Sequence, residues 1–230
     1  LATPARVVNA IASAVPETTY LPLDCGDDGF LNSNGTAELK RFLTDGKFSA
    51  VSIGCGLGNS AETADATEFV IKNADCPVIV DADGLNAISP NINVLKESKK
   101  GVIVTPHPAE FSRMTGKTVA QIQSDRISAA KAFAEEYGAV TVLKGVNTVI
   151  AAPTGEAFVN TTGNAGLAKG GSGDVLTGII ASLTAQGADL FYGAVLGVYL
   201  HGLAADKLGK TKPLYGVLPR DLIAQIAENM

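Results

Sequence analysis

Four short apolar runs set the pattern of the chain: residues 50–53, 77–80, 102–105 and 140–143. None alternates with polar residues, and each stops at a glycine, a proline or a charged residue. Runs of this length and character predict strands buried on both faces. Residues 61–72 and 121–137 keep helical spacing between them. Ahead of the first run, Thr3-Pro4 predicts a helix start, with Thr3 as N-cap and Pro4 at the first helical position. Val7, Val8, Ile11 and Val15 follow at helical intervals. Residues 19–23 predict a strand and 36–43 a helix. After the fourth run, residues 148–151 and 157–160 flank Pro153-Thr154-Gly155, which predicts a hairpin. A glycine-rich loop, 163–173, leads into a helix over 174–186, and 190–208 and 219–228 predict two more. Strands alternating with helices predict an α/β fold: a doubly wound, mostly parallel central sheet with helices on both faces. No linker, repeat or low-complexity tract interrupts the pattern, so residues 1–230 are expected to form a single domain.

Composition narrows the function. The chain is 46% hydrophobic and 18% charged, with 25 glycines among 230 residues and no tryptophan. That supplies a core and excludes disorder. A net charge of −5 argues against a protein that coats duplex nucleic acid. It leaves room for small anions held by backbone N–H groups. The longest apolar stretches, 175–188 and 190–205, are divided by Asp189 and fall short of the ~18–20 residues that span a bilayer, so no membrane partner is expected. Cys25, Cys55 and Cys76 have no metal-ligand spacing, and their odd number reads as free thiols in a reducing compartment, the cytoplasm. The chain opens on Leu1 with no charged and then apolar leader, which reads as a processed or partly recorded chain rather than a signal peptide.

The candidate chemistry sits where predicted strands end. Gly170, Gly171, Ser172 and Gly173 expose backbone N–H groups at a predicted helix N-terminus, where the helix dipole adds partial positive charge; this is an anion hole. Asp174 follows at the helix entry. A carboxylate there would repel an anion, but it can take a proton from a hydroxyl attacking a phosphoryl group. The plain alternative is an Asp N-cap. The sequence Gly54-Cys55-Gly56-Leu57-Gly58 lets a ligand approach the backbone at Gly56, and Asn59 spoils the dinucleotide fingerprint. Gly116–Thr118 and Gly209–Thr211 match a P-loop only by chance, because Phe111 and Ala204 stand where its first glycine belongs. In Thr105-Pro106-His107-Pro108-Ala109-Glu110, two prolines stiffen the backbone around His107. His107 can contact a substrate polar group, and Glu110 can lie near Mg²⁺ through water. Asp81, Asp83 and Asn86 either cap the next helix or orient a substrate or metal shell. Lys144 can neutralise phosphate charge. His201, inside an apolar helix, reads as structural.

Taken together, residues 53–58, 80–86, 105–110, 144–148 and 162–174 resemble, in order and context, the motifs of the NAD(P)H-hydrate dehydratases of the ribokinase-like superfamily. The resemblance covers nearly the whole chain. It implies a repair activity in which ADP or ATP phosphorylates the ring hydroxyl of the hydrates NADHX and NADPHX. Phosphate then leaves and the reduced nicotinamide is restored. It implies Asp174 as the base in contact with the hydrate, and Gly56 and His107 lining that substrate's site. Lys144, Gly145, Val146, Asn147 and Thr148, with Gly173, would hold the nucleotide. Mg²⁺ would bridge the phosphates, and the protein would be a homo-oligomer, a tetramer. Family members usually begin with a glycine-rich strand–loop–helix that contributes to the substrate site and is not found ahead of Leu1. Either the recorded chain is incomplete or that piece is supplied separately, and only a chain truly lacking it is expected to have an opened sheet edge and a compromised site. Cys55 stands where Pro is common and Ala109 where Gly is common. Lys169 adds a positive charge to the anion loop, expected to aid phosphate binding. The competing readings are a superfamily kinase acting on a hydroxymethyl group of a pyrimidine, thiazole or pyridoxal type, and a non-catalytic nucleotide-binding protein.

Overall fold

In the computed structural model, which describes residues 1–228, the first strand is Ala2–Pro4 (β1), followed by helix Ala5–Ile11 (α1) and strand Leu21–Leu23 (β2). β1 and β2 pair in parallel, with Thr3 opposite Pro22. This corrects the expected helix start. The ladder holds Thr3 extended, Pro4 takes the N-cap position, and no side chain caps α1. Helix Ser33–Asp45 (α2) is entered through Asn32, whose side chain accepts from the Gly35 N–H.

The four apolar runs then become Val51–Ile53 (β3), Val78–Val80 (β4), Val102–Val104 (β5) and Ala139–Leu143 (β6), all parallel neighbours. The hairpin Val149–Ala151 (β7) and Ala157–Val159 (β8) continues the sheet in antiparallel sense. Six strands thus lie in the order β3-β4-β5-β6-β7-β8. Between them run Ala61–Asn73 (α3), Asp83–Ile88 (α4), a 3₁₀ turn over Ser89–Glu97, Pro108–Thr115 (α5), Val119–Ser124 (α6) and Arg126–Tyr137 (α7). The helix expected over 121–137 is broken. Asp125 leaves helical geometry (φ −153°) and its side chain accepts from Ser128 N–H to start α7 afresh. Ser172–Ala185 (α8), Leu190–Leu208 (α9) and Pro219–Ala227 (α10) complete the chain.

Strand periodicity sorts the core into two layers. Val78, Val80, Val102 and Val104 point to one face and pack with Leu85, Phe111 and Phe133 from α4, α5 and α7. Ile79, Ile103 and Ile150 point to the other face and pack with Ile180 of α8 and Val198 of α9. Both faces of the sheet are therefore covered by helices.

The β1–β2 pair is not hydrogen-bonded to the larger sheet. It packs instead on α2 and α3 through Leu23, Leu31 and Ala66. Between β1 and the outer edge of β3 lies a cavity of about 330 Å³, lined by Ala2, Leu39, Phe42, Val51 and Ile53 among others. Among the described residues no helix is long and apolar enough to cross a membrane, and Cys25, Cys55 and Cys76 are all free.

Candidate active site

The unusual residues converge beyond the carboxyl ends of β3 to β6, the usual ligand position in open α/β sheets. Asp81 ends β4 and is 1% exposed. Its Oδ1 accepts from Lys144 Nζ, at the end of β6, at 2.7 Å, and its Oδ2 accepts from the Thr177 hydroxyl of α8 at 2.6 Å. Burial alone would raise the Asp81 pKa. The Lys144 ammonium and the Thr177 and Thr105 hydroxyls outweigh it and hold the carboxyl below its ordinary value. Lys144 is therefore no freely solvated lysine. Its ammonium also lies 3.9 Å from Glu110 Oε2, and a Cβ placed on Gly173 would meet it at 3.6 Å. This one cation links β4, β6, α5 and the N-terminus of α8.

The two glycine-rich turns interlock. Gly54 has φ +124°, and a Cβ there would lie 1.8 Å from the Asp81 carbonyl oxygen. Only glycine allows that approach. Gly58 N–H donates to Asp83 Oδ2 at 2.8 Å, so Asp83 braces this turn instead of capping α4. Asn86 accepts from Arg113 Nε at 2.8 Å and is likewise drawn into a structural bond. Gly56 (φ +69°) has open space where a side chain would be.

Gly171 takes the N-cap of α8 with φ +89°, and Ser172 opens the helix. Asp174 is thus the third helical residue, not the N-cap, and it is solvent-exposed. Cys55 Sγ and carboxylate oxygens of Asp81 and Asp174 all lie within 4.8 Å of one another, close enough to share a cation. Burial, with the charges of Asp81 and Asp174, pushes the Cys55 thiol well above its usual range. A thiol so held stays protonated, which removes it as a nucleophile.

His107 caps α5. Its Nδ1 accepts from the N–H groups of Ala109 (3.1 Å) and Glu110 (3.2 Å). Glu110 completes the capping box by accepting from His107 N–H at 2.8 Å, and its Oε1 lies 3.3 Å from His107 Nε2. The bonds at Nδ1 place the proton of the neutral ring on Nε2. The His107 side chain keeps 47% exposure. Glu110 is buried, and its carboxylate turns back onto its own helix start rather than outward.

The loop from Lys144 to Thr148 carries two unusual backbone conformations, Gly145 (φ +149°) and Asn147 (φ +54°). The Thr148 hydroxyl donates to the Gly145 carbonyl at 3.0 Å. Val146 is almost wholly exposed. The brace of this loop is Arg126, which sequence reading missed. Its guanidinium donates to the carbonyls of Leu143 (2.7 Å), Val146 and Asn147 (3.3 Å). Lys169 departs from expectation. Its ammonium donates to the carbonyls of Tyr215 and Val217, and so fastens the loop to the segment before α10 instead of facing an anion.

Comparison with known proteins places the chain in a family. A family model described as NAD(P)H-hydrate dehydratase matches residues 2–228. An ADP-dependent (S)-NAD(P)H-hydrate dehydratase of Neisseria meningitidis is 48% identical over 157 residues, 67% of this chain and 53% of that protein. A Bacillus subtilis ADP/ATP-dependent NAD(P)H-hydrate dehydratase, co-crystallised with ATP/Mg²⁺, superposes with a TM-score of 0.84 at 34% identity, covering 98% of this chain and 76% of that one. A ribokinase-like superfamily protein of Enterococcus faecalis gives a TM-score of 0.81 at 27% identity, covering 99% and 74%. The chain spans about half the length of the first curated relatives it matches. With a family model covering nearly every residue and solved relatives of the same architecture, the chain belongs to the NAD(P)H-hydrate dehydratase family and has the ribokinase-like fold.

Proposed function

We propose that the protein repairs hydrated nicotinamide cofactors, dehydrating NADHX and NADPHX to NADH and NADPH at the expense of ADP or ATP. The observation that carries this is the position of Asp174. It stands at the mouth of a glycine-rich helix start, exposed and not consumed as a cap. Lys144 and the buried Asp81 lie beside it, with a carboxylate oxygen of Asp81 within 4.8 Å of one of Asp174.

In this reading Gly170, Gly171 and Gly173 present N–H groups to the transferring phosphoryl group; the Ser172 N–H, expected to join them, donates instead to the Lys169 carbonyl at 3.3 Å. Lys144 to Thr148, with Gly173, hold the nucleotide. Gly56 and His107 line the hydrate's site. Asp174 takes the proton of the ring hydroxyl as the hydroxyl oxygen attacks the terminal phosphorus, and the P–O bond to AMP (from ADP) or to ADP (from ATP) breaks. In the new C–O–P linkage phosphate is the leaving group: the ring nitrogen lone pair expels it, and loss of a proton from the neighbouring ring carbon to solvent restores the ring double bond. The chain's work is positioning, charge stabilisation and one proton transfer.

The oxygen donors of the cleft suit Mg²⁺, a hard cation that keeps several waters. Glu110 would reach it through water, because its carboxylate is already committed to the α5 start. When bound, Mg²⁺ would supply charge neutralisation on the phosphates. The names of the N. meningitidis and B. subtilis proteins support the nucleotide and metal assignments. We further propose that residues 1–230 act as one catalytic domain, in a cytoplasmic homotetramer. The free cysteines support a reducing compartment.

The test is to mix the protein with hydrated NADH, Mg²⁺ and either ADP or ATP and to follow the absorbance of reduced nicotinamide. Recovery with one phosphate released per NADH is the expected result, and it identifies the donor. A stable phosphorylated product instead would indicate the small-molecule kinase reading.

A further inference from the structure

A phosphate-binding loop made of glycine has few side chains with which to hold itself still, yet an anion hole works only if its N–H groups are fixed in advance. One face of α9 supplies the fixing. The Thr162 hydroxyl donates to the Tyr199 carbonyl at 3.0 Å. Gly163 N–H donates to Asp206 Oδ2 at 2.8 Å. Asn164 Nδ2 donates to the Ala205 carbonyl at 2.8 Å and to Asp206 Oδ1 at 3.2 Å. Gly202 lies on this face too. A Cβ there would be 2.2 Å from Thr162 Oγ1 and 2.7 Å from the Thr162 carbonyl, so a side chain would push the loop away. Tyr199, Gly202 and Asp206 stand three and four residues apart, along one edge of the helix.

The far end of the loop meets the same helix. His201, 6% exposed, lies with its ring against the backbone of Ser172, which is 3% exposed. Thr162 to Asn164 and Ser172 are thus gauged from consecutive turns of one rigid element. Asp206 is the one side chain there that uses both of its acceptor oxygens on the loop. A negative charge beside a loop meant for phosphate does not help binding by Coulomb attraction. Its contribution is geometric.

We propose that Asp206 is a positioning residue for the phosphate-binding loop, acting through Gly163 and Asn164 with α9 as the template. The proposal rests on the reading of that loop as the phosphate site. The test compares Asp206→Ala and Asp206→Asn with the parent in the full-length protein, measuring ADP affinity by calorimetry, kcat, KM for ADP, KM for hydrated NADH, and the thermal midpoint.

In Asp206→Ala we expect ADP Kd and KM to rise about tenfold or more, the scale of one lost charge-assisted hydrogen bond. KM for hydrated NADH should stay within about twofold, a selectivity that general destabilisation would not produce. Asp206→Asn keeps one acceptor oxygen and should recover most of the ADP affinity. Unchanged ADP affinity in Asp206→Ala, equal losses for both ligands, or no recovery in Asp206→Asn would each overturn the proposal. If Asp206→Ala does not fold, Thr162→Val removes the neighbouring tie without touching charge, and unaltered ADP affinity in that variant overturns it equally. A parent protein that binds no ADP at all would instead strike the phosphate-loop reading on which the proposal stands.

Discussion

Asp174 is the residue on which the proposed reaction turns. Asp174→Asn keeps the shape of the α8 entry and removes the proton acceptor. Turnover should fall by about 10³-fold, within the roughly 10²–10⁴ that a general base contributes, with ADP affinity little changed; stopped assays with calorimetry check both. His107 serves two masters, the cap of α5 and the edge of the cleft. His107→Ala should lower stability by about 1 kcal/mol through the lost cap, and it should raise KM for the hydrate more than KM for ADP. Equal rises would place His107 away from the hydrate. Asp174 and the glycines were legible in the sequence because their chemistry is local: a glycine run and a carboxylate at a helix entry lie within a dozen residues. Arg126 and Asp206 were not legible. Their partners lie 17 to 21 and 42 to 43 residues away in the chain, and no spacing rule connects them.

Among elements, α8 and α9 behave as a unit, closed by Gly197 against Ile180, where a Cβ would come within 2.8 Å of Cγ1. His201 is sealed under this pair, and burial pushes its imidazole down to about 4 from 6.5. The unfolded chain takes up that proton as pH falls below 6.5, whereas the folded chain resists until about 4. Stability is therefore fully present above pH 6.5 and drains away as pH drops toward 4. The full extent is on the order of 3 kcal/mol. Urea midpoints at pH 7.5 and 5 should show the fall, and His201→Gln should flatten it. At this scale the apolar runs marked every strand of the parallel core, because burial on both faces leaves no room for polar residues. Helix limits were less legible. Asp125 breaks a continuous helical pattern by capping a new helix, and Thr3 is captured by a ladder with Pro22 that no local propensity reveals.

At the scale of the whole molecule, the sheet and its two covered faces were readable, since alternation of element types limits the fold to a few arrangements. That β1–β2 stands apart from the larger sheet was not legible, because the pairing partner of a three-residue strand is set by packing rather than by its own sequence. The outer edge of β3 follows from the ladder on its other side. Val51 donates to the Pro77 carbonyl and Ile53 accepts from Asp81 N–H, so alternation turns the backbone of Ser52 away from β4 and toward the cavity side. Deuterium should enter the Ser52 amide long before it enters that of Ile79, which lies between two strands. A backbone row with unused partners is also adhesive. In a preparation of these 230 residues the outer edge of β3 is a place where two copies can begin to pair, and its three-residue length sets a low ceiling on how firmly they hold.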